Sequence, residues 1–308
     1  MTPALNAAIA LLLEGVSRKE LEQRAGKMSA SYRDGGTSAG IVNAADALAY
    51  LVTRAPATYA ALSASFARVA EAMPGFSPES LLDVGAGPGT AAWASREVWP
   101  SLGVVTMLEP NAVFRDLASK LMPDARIVAG SLGTELPRTD LVTAAYVLAE
   151  LPEAAAAGTA RELWSAASGM LMLVEPGTPG GFARIRAARA AVIEAGGHIV
   201  APCTHDNECP IQQPDWCHFS QRLARSRDHM IAKGAKVPFE DERYAYVAVS
   251  RVPVTDRAVA RIIKPPMEAK PGITLPLCEA SGLRSAFVTR RDKDGYRRAR
   301  KKAWGDLF

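Results

Sequence analysis

Three of the four cysteines in this 308-residue chain lie in one short polar segment. Cys203, Cys209 and Cys217 belong to the stretch APCTHDNECPIQQPDWCHF, and Cys278 follows much later in LPLCEAS. Thiolates are soft ligands, and four of them match either a four-iron four-sulfur cluster or a tetrahedral zinc site. The pattern therefore predicts a metal centre whose ligands are these four cysteines.

The spacing of the cysteines favours a cluster but leaves other interpretations open. Zinc sites usually pair their ligands in short CxxC steps, which this segment lacks. A zinc site with three cysteines and one histidine would use His205 or His218 instead of one thiolate. Buried unligated cysteines fit poorly with the polar neighbours. A nucleophilic Cys203, as in carbon-5 methylation of cytosine, rests only on the dipeptide Pro202-Cys203.

A glycine-rich loop is the second motif that could do chemistry. The stretch LLDVGAGPGT, residues 81–90, stands where a strand would turn into a helix, as in nucleotide-binding loops. Thr90 replaces the third glycine of a dinucleotide-binding loop. Asp83 is awkward beside a pyrophosphate but suits a ligand with an ammonium and a sulfonium group, such as S-adenosylmethionine (SAM). The predicted cofactor is therefore SAM, and the alternative is an ordinary glycine-rich turn.

This loop resembles the SAM-binding loop of class I, Rossmann-like methyltransferases. Glu109 ends the next predicted strand, where an acidic side chain can accept hydrogen bonds from both ribose hydroxyls. The resemblance implies that the cofactor is bound by Asp83 at the amino-acid end, Gly85, Ala86, Gly87 and Gly89 in the loop, Glu109 at the ribose, and Gly130 and Ser131 near the adenine.

No catalytic residue is predicted. Methyl transfer to a base nitrogen often uses an Asn/Asp-Pro-Pro-aromatic motif after the fourth strand. The corresponding segment here reads AAYVLAEL, residues 144–151, in which Tyr146 and Glu150 are polar but form no recognisable acceptor-positioning set. Whether the chain is an enzyme is therefore left open.

The order of hydrophobic patterns predicts an α/β fold with three regions. Residues 1–72 read as a helical N-terminal region, 73–200 as a SAM-binding Rossmann-like domain, and 201–308 as a cysteine-cluster and basic region that completes the sheet. Within the middle region, five strands are predicted at Ser80–Val84, Val104–Glu109, Arg126–Ala129, Asp140–Tyr146 and Gly169–Glu175. Their alternation with helices predicts a doubly wound, mostly parallel sheet.

Positive charge is concentrated in the last third of the chain. The net charge is +4, with 16 Lys/Arg against 19 Asp/Glu in residues 1–200 and 20 against 13 afterwards. A polyanion is therefore expected at this end, where Tyr296 and Trp304 could stack on unpaired bases. The alternative is a solvated charged helix. The predicted RNA-binding residues are Arg222, Arg225, Arg227, Arg297, Arg298, Arg300, Lys301 and Lys302.

Composition and cysteine usage predict a soluble bacterial cytoplasmic protein. Four clustered cysteines do not resemble a secreted disulfide framework. The N-terminal run ALNAAIALLLEGVSRKEL lacks a basic start and a small-residue cleavage site, so an amphipathic helix is expected rather than a signal peptide. No apolar run reaches the length of a membrane span, and neither a membrane nor DNA is an expected partner.

Several motifs together resemble one known family. VGAGPGT, APCTHDNECP, DWCHFSQR, the stretch from Lys236 to Val247 and the closing YRRARKKAWGD are similar to the bacterial and mitochondrial family of ribosomal small-subunit methyltransferase-like proteins. The resemblance covers the chain from about residue 30. It implies a four-iron four-sulfur cluster on Cys203, Cys209, Cys217 and Cys278, SAM-type binding at the glycine loop, and association with small-subunit ribosomal RNA (rRNA).

Three functional hypotheses follow from these motifs. The first is an enzyme that methylates small-subunit rRNA. The second is a non-catalytic assembly factor that keeps the SAM fold as a scaffold. The third is a zinc-stapled small-molecule methyltransferase. In each of them, the ordering of the polar cysteine segment is expected to depend on its metal, because that segment has little apolar surface of its own.

Overall fold

The alternating segments form one eight-stranded sheet in the computed structural model, which describes residues 1–33 and 36–308. Its strands are β1 (Ser80–Val84), β2 (Val104–Leu108), β3 (Arg126–Val128), β4 (Thr139–Ala145), β5 (Ala167–Pro176), β6 (His198–Ala201), β7 (Phe219–Ala224) and β8 (Phe239–Ser250). The order is β3-β2-β1-β4-β5-β8-β6, and β7 also pairs with β8. Strands β1 to β5 are parallel, whereas β8 is antiparallel to its three neighbours. The predicted doubly wound, mostly parallel sheet is confirmed.

Helices cover both faces of this sheet. They are α1 (Pro3–Leu12), α2 (Arg18–Arg33), α3 (Ala44–Thr53), α4 (Ala55–Ala72), α5 (Thr90–Val98), α6 (Ala112–Leu121), α7 (Ala156–Ala166), α8 (Pro179–Glu194) and α9 (Arg227–Ala232), with 3-10 turns at Ser38–Gly40, Leu148–Glu150 and Glu153–Ala155. The N-terminal helices, α5 and α6 share one apolar core on the first face. Helices α7 and α8 fill the second face.

Side chains at the helix starts explain where several of these helices begin. Asn43 accepts a hydrogen bond from the backbone of Asp46 at the start of α3, and Asn111 accepts bonds from Val113 and Phe114 at the start of α6. Such caps satisfy backbone donors that have no partner within the helix. The cap at Asn111 fixes the position of the chain directly after β2. Glu109, which contacts the glycine loop, lies in this part of the chain.

Strands β6 and β7 follow one another along the same edge of β8. Ala201, at the end of β6, pairs with Ala248, and Phe219, at the start of β7, pairs with Tyr244. The intervening residues 202–218, which contain three cysteines, therefore leave this edge and return to it. The stretch FSQRLA, which contains the predicted RNA-binding residue Arg222, is β7 because its backbone pairs with the first half of β8.

The last part of the chain forms a second, smaller sheet. It contains β9 (Ala260–Ile262), β10 (Met267–Ala269), β11 (Gly272–Glu279) and β12 (Gly282–Thr289), followed by α10 (Lys293–Ala299). The proline-rich stretch IIKPPMEAKPGITLPLCEA supplies two of these strands and part of a third. Pro276 lies within β11, where it cannot donate a backbone hydrogen bond, but its carbonyl accepts one from Ile263 at 3.0 Å.

No described helix combines the length and the apolar character that a bilayer-spanning segment needs.

Candidate cofactor and metal sites

The glycine loop connects β1 to α5 through backbone conformations that suit glycine. Gly85, Gly87 and Gly89 all have positive φ angles, of 66°, 55° and 85°. A Cβ on Gly85 would lie 2.5 Å from Val147 Cγ2, whereas a Cβ on Gly87 would meet no atom within 4 Å. Gly85 is therefore required for packing against the segment after β4, and Gly87 faces open space in which a ligand could approach the backbone.

Asp83 is buried beneath this loop with only part of its hydrogen-bonding capacity used. Its side chain lies on β1 and is 1% exposed. Thr143 Oγ1 donates to Asp83 Oδ1 at 3.0 Å, while Oδ2 is buried without a hydrogen-bond partner. Burial raises the pKa of Asp83 to about 7, against the opposing effect of the Thr143 bond. A cationic ligand near this carboxyl would favour its charged form.

Glu109 joins the end of β2 to the glycine loop. Glu109 Oε2 accepts a bond from the Gly87 amide at 2.7 Å, and Oε1 accepts one from the Asn111 amide at 2.8 Å. Burial raises the pKa of Glu109, and the two amide bonds oppose that rise. A carboxylate has about four lone-pair directions, so acceptor capacity remains for ribose hydroxyls.

Residues before α3 extend across the carboxyl ends of the parallel strands. The Ser38 amide and hydroxyl both donate to the Glu150 carboxylate at 2.9 Å. Asn111 Nδ2 donates to the carbonyls of Ser38 and Ile41, at 3.3 and 2.8 Å. The helical N-terminal region is therefore attached to the loops after β2 and β4, where ligands of open α/β sheets bind.

The segment after β4 contains a residue in an unusual backbone conformation. Tyr146 has a φ of 61°, and its hydroxyl donates to Glu242 Oε1 at 2.8 Å. Farther along, the amides of Leu148 and Ala149 donate to the carboxylate of Glu175, whose pKa burial raises to about 8. Sequence reasoning missed Glu175, although its position at the end of β5 could have indicated it. The segment is held by buried acids rather than by an acceptor-positioning motif.

The predicted adenine-side residues lie in the loop that follows β3. Gly130 is partly buried, and a Cβ there would lie 2.6 Å from Leu108 Cδ1 on β2. Ser131 is exposed, and its carbonyl accepts a bond from Thr134 Oγ1 at 2.8 Å. The close contact with Leu108 places Gly130 beside the end of β2, directly before Glu109, whereas the Ser131 hydroxyl donates only to the neighbouring Leu132 carbonyl, at 3.3 Å.

The four cysteines converge on one cavity. Three of them come from the loop between β6 and β7, and Cys278 comes from β11 of the second sheet. Apolar side chains of α8 and β8, such as Ile185 and Val247, line the same cavity. Cys278 is buried, and its Sγ lies 3.8 Å from His205 Nε2. The structure thus brings together thiols that are far apart in the sequence.

Thiols gathered in this way resist ionisation. Burial raises the pKa of Cys278 to about 12, with a further contribution from the charges of Cys203 and Cys209. Burial and the other three cysteines likewise raise the pKa of Cys217 well above its ordinary value. A bound metal reverses this preference because its positive charge favours thiolates. The cavity therefore suits thiol ligands whose charge is compensated by a metal centre.

The four cysteines supply a donor set rather than a preformed site for one ion. Among residues 1–33 and 36–308, no group of three or more His, Cys, Asp or Glu is placed to hold a metal ion. A tetrahedral zinc site needs all four ligand atoms at one bond length from one ion. A four-iron cluster instead places each thiolate on a different iron. Four thiols around one cavity are the ligand types that such a cluster uses.

Two of the predicted RNA-binding arginines after the cysteine loop already have carboxylate partners. Arg222 forms a bidentate pair with Asp241, at 2.7 and 2.8 Å, across the β7–β8 ladder. Arg225 Nη2 lies 2.8 Å from Glu240 Oε2, a carboxylate that also accepts a bond from Lys233. Arg227 is exposed at the start of α9. The strand pairing thus uses the charge of Arg222 and Arg225 within the protein.

Most of the basic residues at the end of the chain are exposed, whereas both Arg222 and Arg225 pair with carboxylates. Arg297, Arg298, Arg300 and Lys301 are exposed on or just after α10, while Lys302 is partly buried and donates to the Leu307 carbonyl at 2.8 Å. Arg297 pairs with Asp294. The flanking aromatic residues are less available than expected: Tyr296 donates to Glu268, and Trp304 packs against His218 and the main core.

The strand order, the reversed β8 and the glycine loop with its acidic partner on β2 define a class I methyltransferase-like fold. The sequence from residue 44 to 308 matches the family described as mitochondrial small ribosomal subunit Rsm22. Since this match covers most of the chain, the protein belongs to that family.

Two curated relatives were compared with the chain over most of its length. It is 29% identical to "Ribosome assembly protein METTL17, mitochondrial" from Homo sapiens, over 85% of this chain and 62% of that protein. It is 28% identical to "Rsm22-cox11 tandem protein 2, mitochondrial" from Schizosaccharomyces pombe, over 91% of this chain and 45% of that protein. The chain thus spans less than two thirds of the length of either relative.

Solved structures with the same general fold are distant. A putative RNA methyltransferase from Pyrococcus horikoshii has a TM-score of 0.42 at 11% identity, covering 61% of this chain and 80% of its own. Magnesium protoporphyrin IX methyltransferase from Synechocystis with bound SAM also has a TM-score of 0.42, at 14% identity, covering 64% of this chain and 80% of its own. These similarities concern the fold alone.

The expected bacterial cytoplasmic location is wrong. The matching family is described as mitochondrial, and both relatives carry mitochondrial names. Cysteine usage could not distinguish a bacterial cytoplasmic protein from a mitochondrial one, because it argued only against a secreted disulfide framework.

The raised pKa of Asp83 generates a prediction about stability. The folded protein retains this proton up to about pH 7, whereas the unfolded chain releases it near the ordinary value of 3.8. The free energy of unfolding should therefore fall as pH rises through this window, at most by about 1.4 kcal/mol per unit from this one group. Asp83→Asn should flatten that part of the curve, as measured by urea unfolding between pH 4.5 and 7.

Asp140→Asn provides the matched control. Hydrogen bonds from Ser80 and the Glu79 backbone outweigh burial and lower the pKa of Asp140, so its contribution is lost only as pH falls below the ordinary value. That variant should lower stability at neutral pH without changing the slope between pH 5 and 7. An unchanged slope in Asp83→Asn would show that Asp83 is ionised throughout this range.

Proposed function

We propose that this protein binds the small ribosomal subunit through its rRNA and acts in subunit assembly or translation as a SAM-dependent methyltransferase-like protein. The observation that carries the proposal is the convergence of Cys203, Cys209, Cys217 and Cys278 on one cavity, in a chain that belongs to the Rsm22 family. The name of the human relative, a ribosome assembly protein, supports the same role.

The four cysteines are the proposed ligands of a four-iron four-sulfur cluster. When bound, the cluster supplies a covalent cross-link between the loop 202–218 and β11, in addition to any redox chemistry. This loop is rich in polar residues, and only Ile211 among them is a deeply buried large apolar side chain. Metal binding would therefore contribute directly to the folding of this region.

The glycine loop is the proposed SAM site. Gly85, Ala86, Gly87 and Gly89 would surround the cofactor, with Asp83 towards its cationic end and Glu109 at the ribose. Gly130 and Ser131 would border the adenine. In this proposal the chain divides into a helical region at 1–72, a SAM-binding domain at 73–200 and a cluster-bearing region at 201–308.

The exposed basic residues of α10 are the proposed main contact to rRNA. Arg298 lies in the last turn of this helix, Arg300 and Lys301 follow directly after it, and all three side chains are exposed. Arg297, Lys302 and Arg227 would add charge at the margins. Arg222 and Arg225 would contribute less, because Asp241 and Glu240 already compensate their charge.

Two versions of this function differ in whether methyl transfer occurs. The segment after β4 lacks the Asn/Asp-Pro-Pro-aromatic motif, and the hydroxyl of Tyr146 is engaged by Glu242. This observation favours the second version, an assembly factor that keeps the SAM fold as a scaffold. A zinc-stapled small-molecule methyltransferase is the remaining alternative, and it would not retain RNA at about 0.15 M salt, where phosphate contacts should still hold.

The proposed cluster can be tested on anaerobically purified protein. The wild-type chain should show broad visible absorption and contain about four iron and four sulfide per chain, as expected for a cluster ligated by four cysteines. Cys278→Ser should lose most of both, because it removes the ligand supplied by the second sheet. Thr274→Val, in the same strand but away from the cavity, should keep them. One zinc ion per chain without sulfide would contradict the cluster.

The proposed RNA contact predicts a change in salt dependence. Neutralising two exposed charges in the variant Arg298→Gln/Lys301→Gln should weaken binding to a single-stranded segment of small-subunit rRNA. It should also reduce the slope of log affinity against log salt by about 1.4, for two released counterions. The control Lys120→Gln/Arg161→Gln removes two charges from α6 and α7 and should leave the slope unchanged. Equal effects of both variants would argue against α10 as the binding surface.

Methyl transfer is tested with labelled SAM and precursor small subunits. Incorporation by the wild-type protein that is lost in Asp83→Ala would identify an enzyme, because Asp83 belongs to the proposed cofactor site. Retention of the subunits without incorporation would identify the assembly factor. Failure to retain RNA or ribosomal particles would contradict both versions.

A further inference from the structure

Two arginines are buried around the cysteine cavity. Arg261 is 2% exposed on β9, and Arg189 is 5% exposed on α8; both side chains line the cavity. The register of the second sheet places Arg261 directly opposite Cys278. Neither arginine was singled out by the sequence, because single arginines in a helix and in a proline-rich segment carry no distinctive spacing.

Both guanidinium groups are held by backbone carbonyls. Arg261 Nε donates to the Pro202 carbonyl at 2.7 Å, and its Nη1 donates to the Gly305 carbonyl at 2.8 Å. Arg189 Nη2 donates to the carbonyls of His205 and Asn207, at 2.9 and 2.7 Å. Three of these four acceptors belong to the cysteine loop. The arginines are therefore fixed in position relative to the thiols.

Neither of these two arginines pairs with a carboxylate in the part of the chain that the structure describes. They take part in none of its ion pairs, and Arg189 Nε is buried without a hydrogen-bond partner. Other arginines near the loop do have acidic partners: Arg257 pairs with Asp206. A buried charge without a counter-charge costs several kcal/mol on the general scale of such groups. The cavity thus contains uncompensated positive charge.

An anionic occupant would compensate that charge. Four thiolates outweigh the positive charge of an iron–sulfur core, so the liganded cluster is a net anion whose reduction adds a further negative charge. Positive groups held nearby in a medium of low dielectric stabilise both oxidation states, and the reduced state more. The residues that surround the thiols therefore match the charge of the group that the thiols would hold.

We infer that Arg189 and Arg261 are positioning residues of the cysteine site, which supply the counter-charge of a cysteine-ligated cluster, retain it in the protein and raise its reduction potential. This inference rests on the proposed cluster. It adds two side chains that do not bind the metal but act on it through charge and through the loop that carries its ligands.

The test compares neutral and charge-conserving substitutions in anaerobically loaded protein. Arg261→Gln and Arg189→Gln should shift the reduction potential to more negative values, measured by a dye-mediated titration of the visible spectrum. They should also lose iron to a chelator more readily, with a loss of affinity of about 10- to 100-fold, typical of residues that support metal ligands. Arg261→Lys and Arg189→Lys should restore most of the potential, because charge rather than shape sets it.

Arg284→Gln is the matched control. Arg284 lies in the same small sheet but pairs with Glu279, and its side chain is 46% exposed. This variant should keep the wild-type potential and rate of iron loss. Far-ultraviolet circular dichroism of each variant identifies any that fails to fold. If a glutamine variant fails to fold, the potential and the iron loss of the corresponding lysine variant are compared with those of the wild-type protein.

The outcomes separate this inference from the proposal on which it rests. A wild-type protein that takes up no iron and sulfide would contradict the cluster itself, and the inference with it. A loaded wild-type protein whose potential is the same in the glutamine variants would contradict the inference alone. Equal losses in the glutamine and lysine variants would also overturn it, since they would show that only the hydrogen bonds to the carbonyls matter.

Discussion

The convergence of four cysteines on one cavity is the constraint that connects the two sheets of this protein. Cys278 comes from the small sheet, and the other three come from a loop at the edge of the large sheet. Without a positive centre, burial and the neighbouring cysteines raise the pKa values of Cys217 and Cys278, and the nearby guanidinium groups stay uncompensated. A cationic centre bound by these cysteines would offset both effects.

The glycine loop and the N-terminal region form a second connected unit. Glu109 bonds to the loop, Asn111 bonds to the segment before α3, and Glu150 bonds to Ser38 in the same segment. A ligand at the carboxyl ends of the strands would thus lie beside residues from both the sheet and the helical region. Glu109 is buried, so its hydrogen bonds are protected from competition by water, whereas the bonds between Ser38 and Glu150 lie at the surface.

Local patterns in the sequence were sufficient for the strands and the loop but not for long-range pairing. The predicted strands β1 to β5 agree with the structure to within about two residues, because buried parallel strands are continuous apolar runs. The partners of Arg222 and Arg225 could not be predicted, since they depend on the register between β7 and β8. The strand β11 could not be predicted locally, because it contains Pro276 and proline is uncommon in strand interiors.

The candidate site residues show the same difference between what local patterns predict and what depends on long-range packing. The grouping of Asp83, the glycines and Glu109 follows from a general rule for parallel sheets, and the sequence was enough to anticipate it. The meeting of Cys278 with the other cysteines was predicted from the residue type alone, because the packing of the second sheet that brings it there cannot be inferred from the spacing. Arg189 and Arg261 are recognisable only by their burial and their carbonyl partners.

The arrangement of β6 and β7 on a shared neighbour has a consequence for how the cysteine loop can vary. Both ends of the loop are fixed by backbone pairing to β8, at Ala248 and Tyr244. Residues could be gained or lost between these anchors without altering the register of the large sheet. The length of the cysteine loop can therefore differ with the size of the group that the cysteines surround, while the large sheet stays the same.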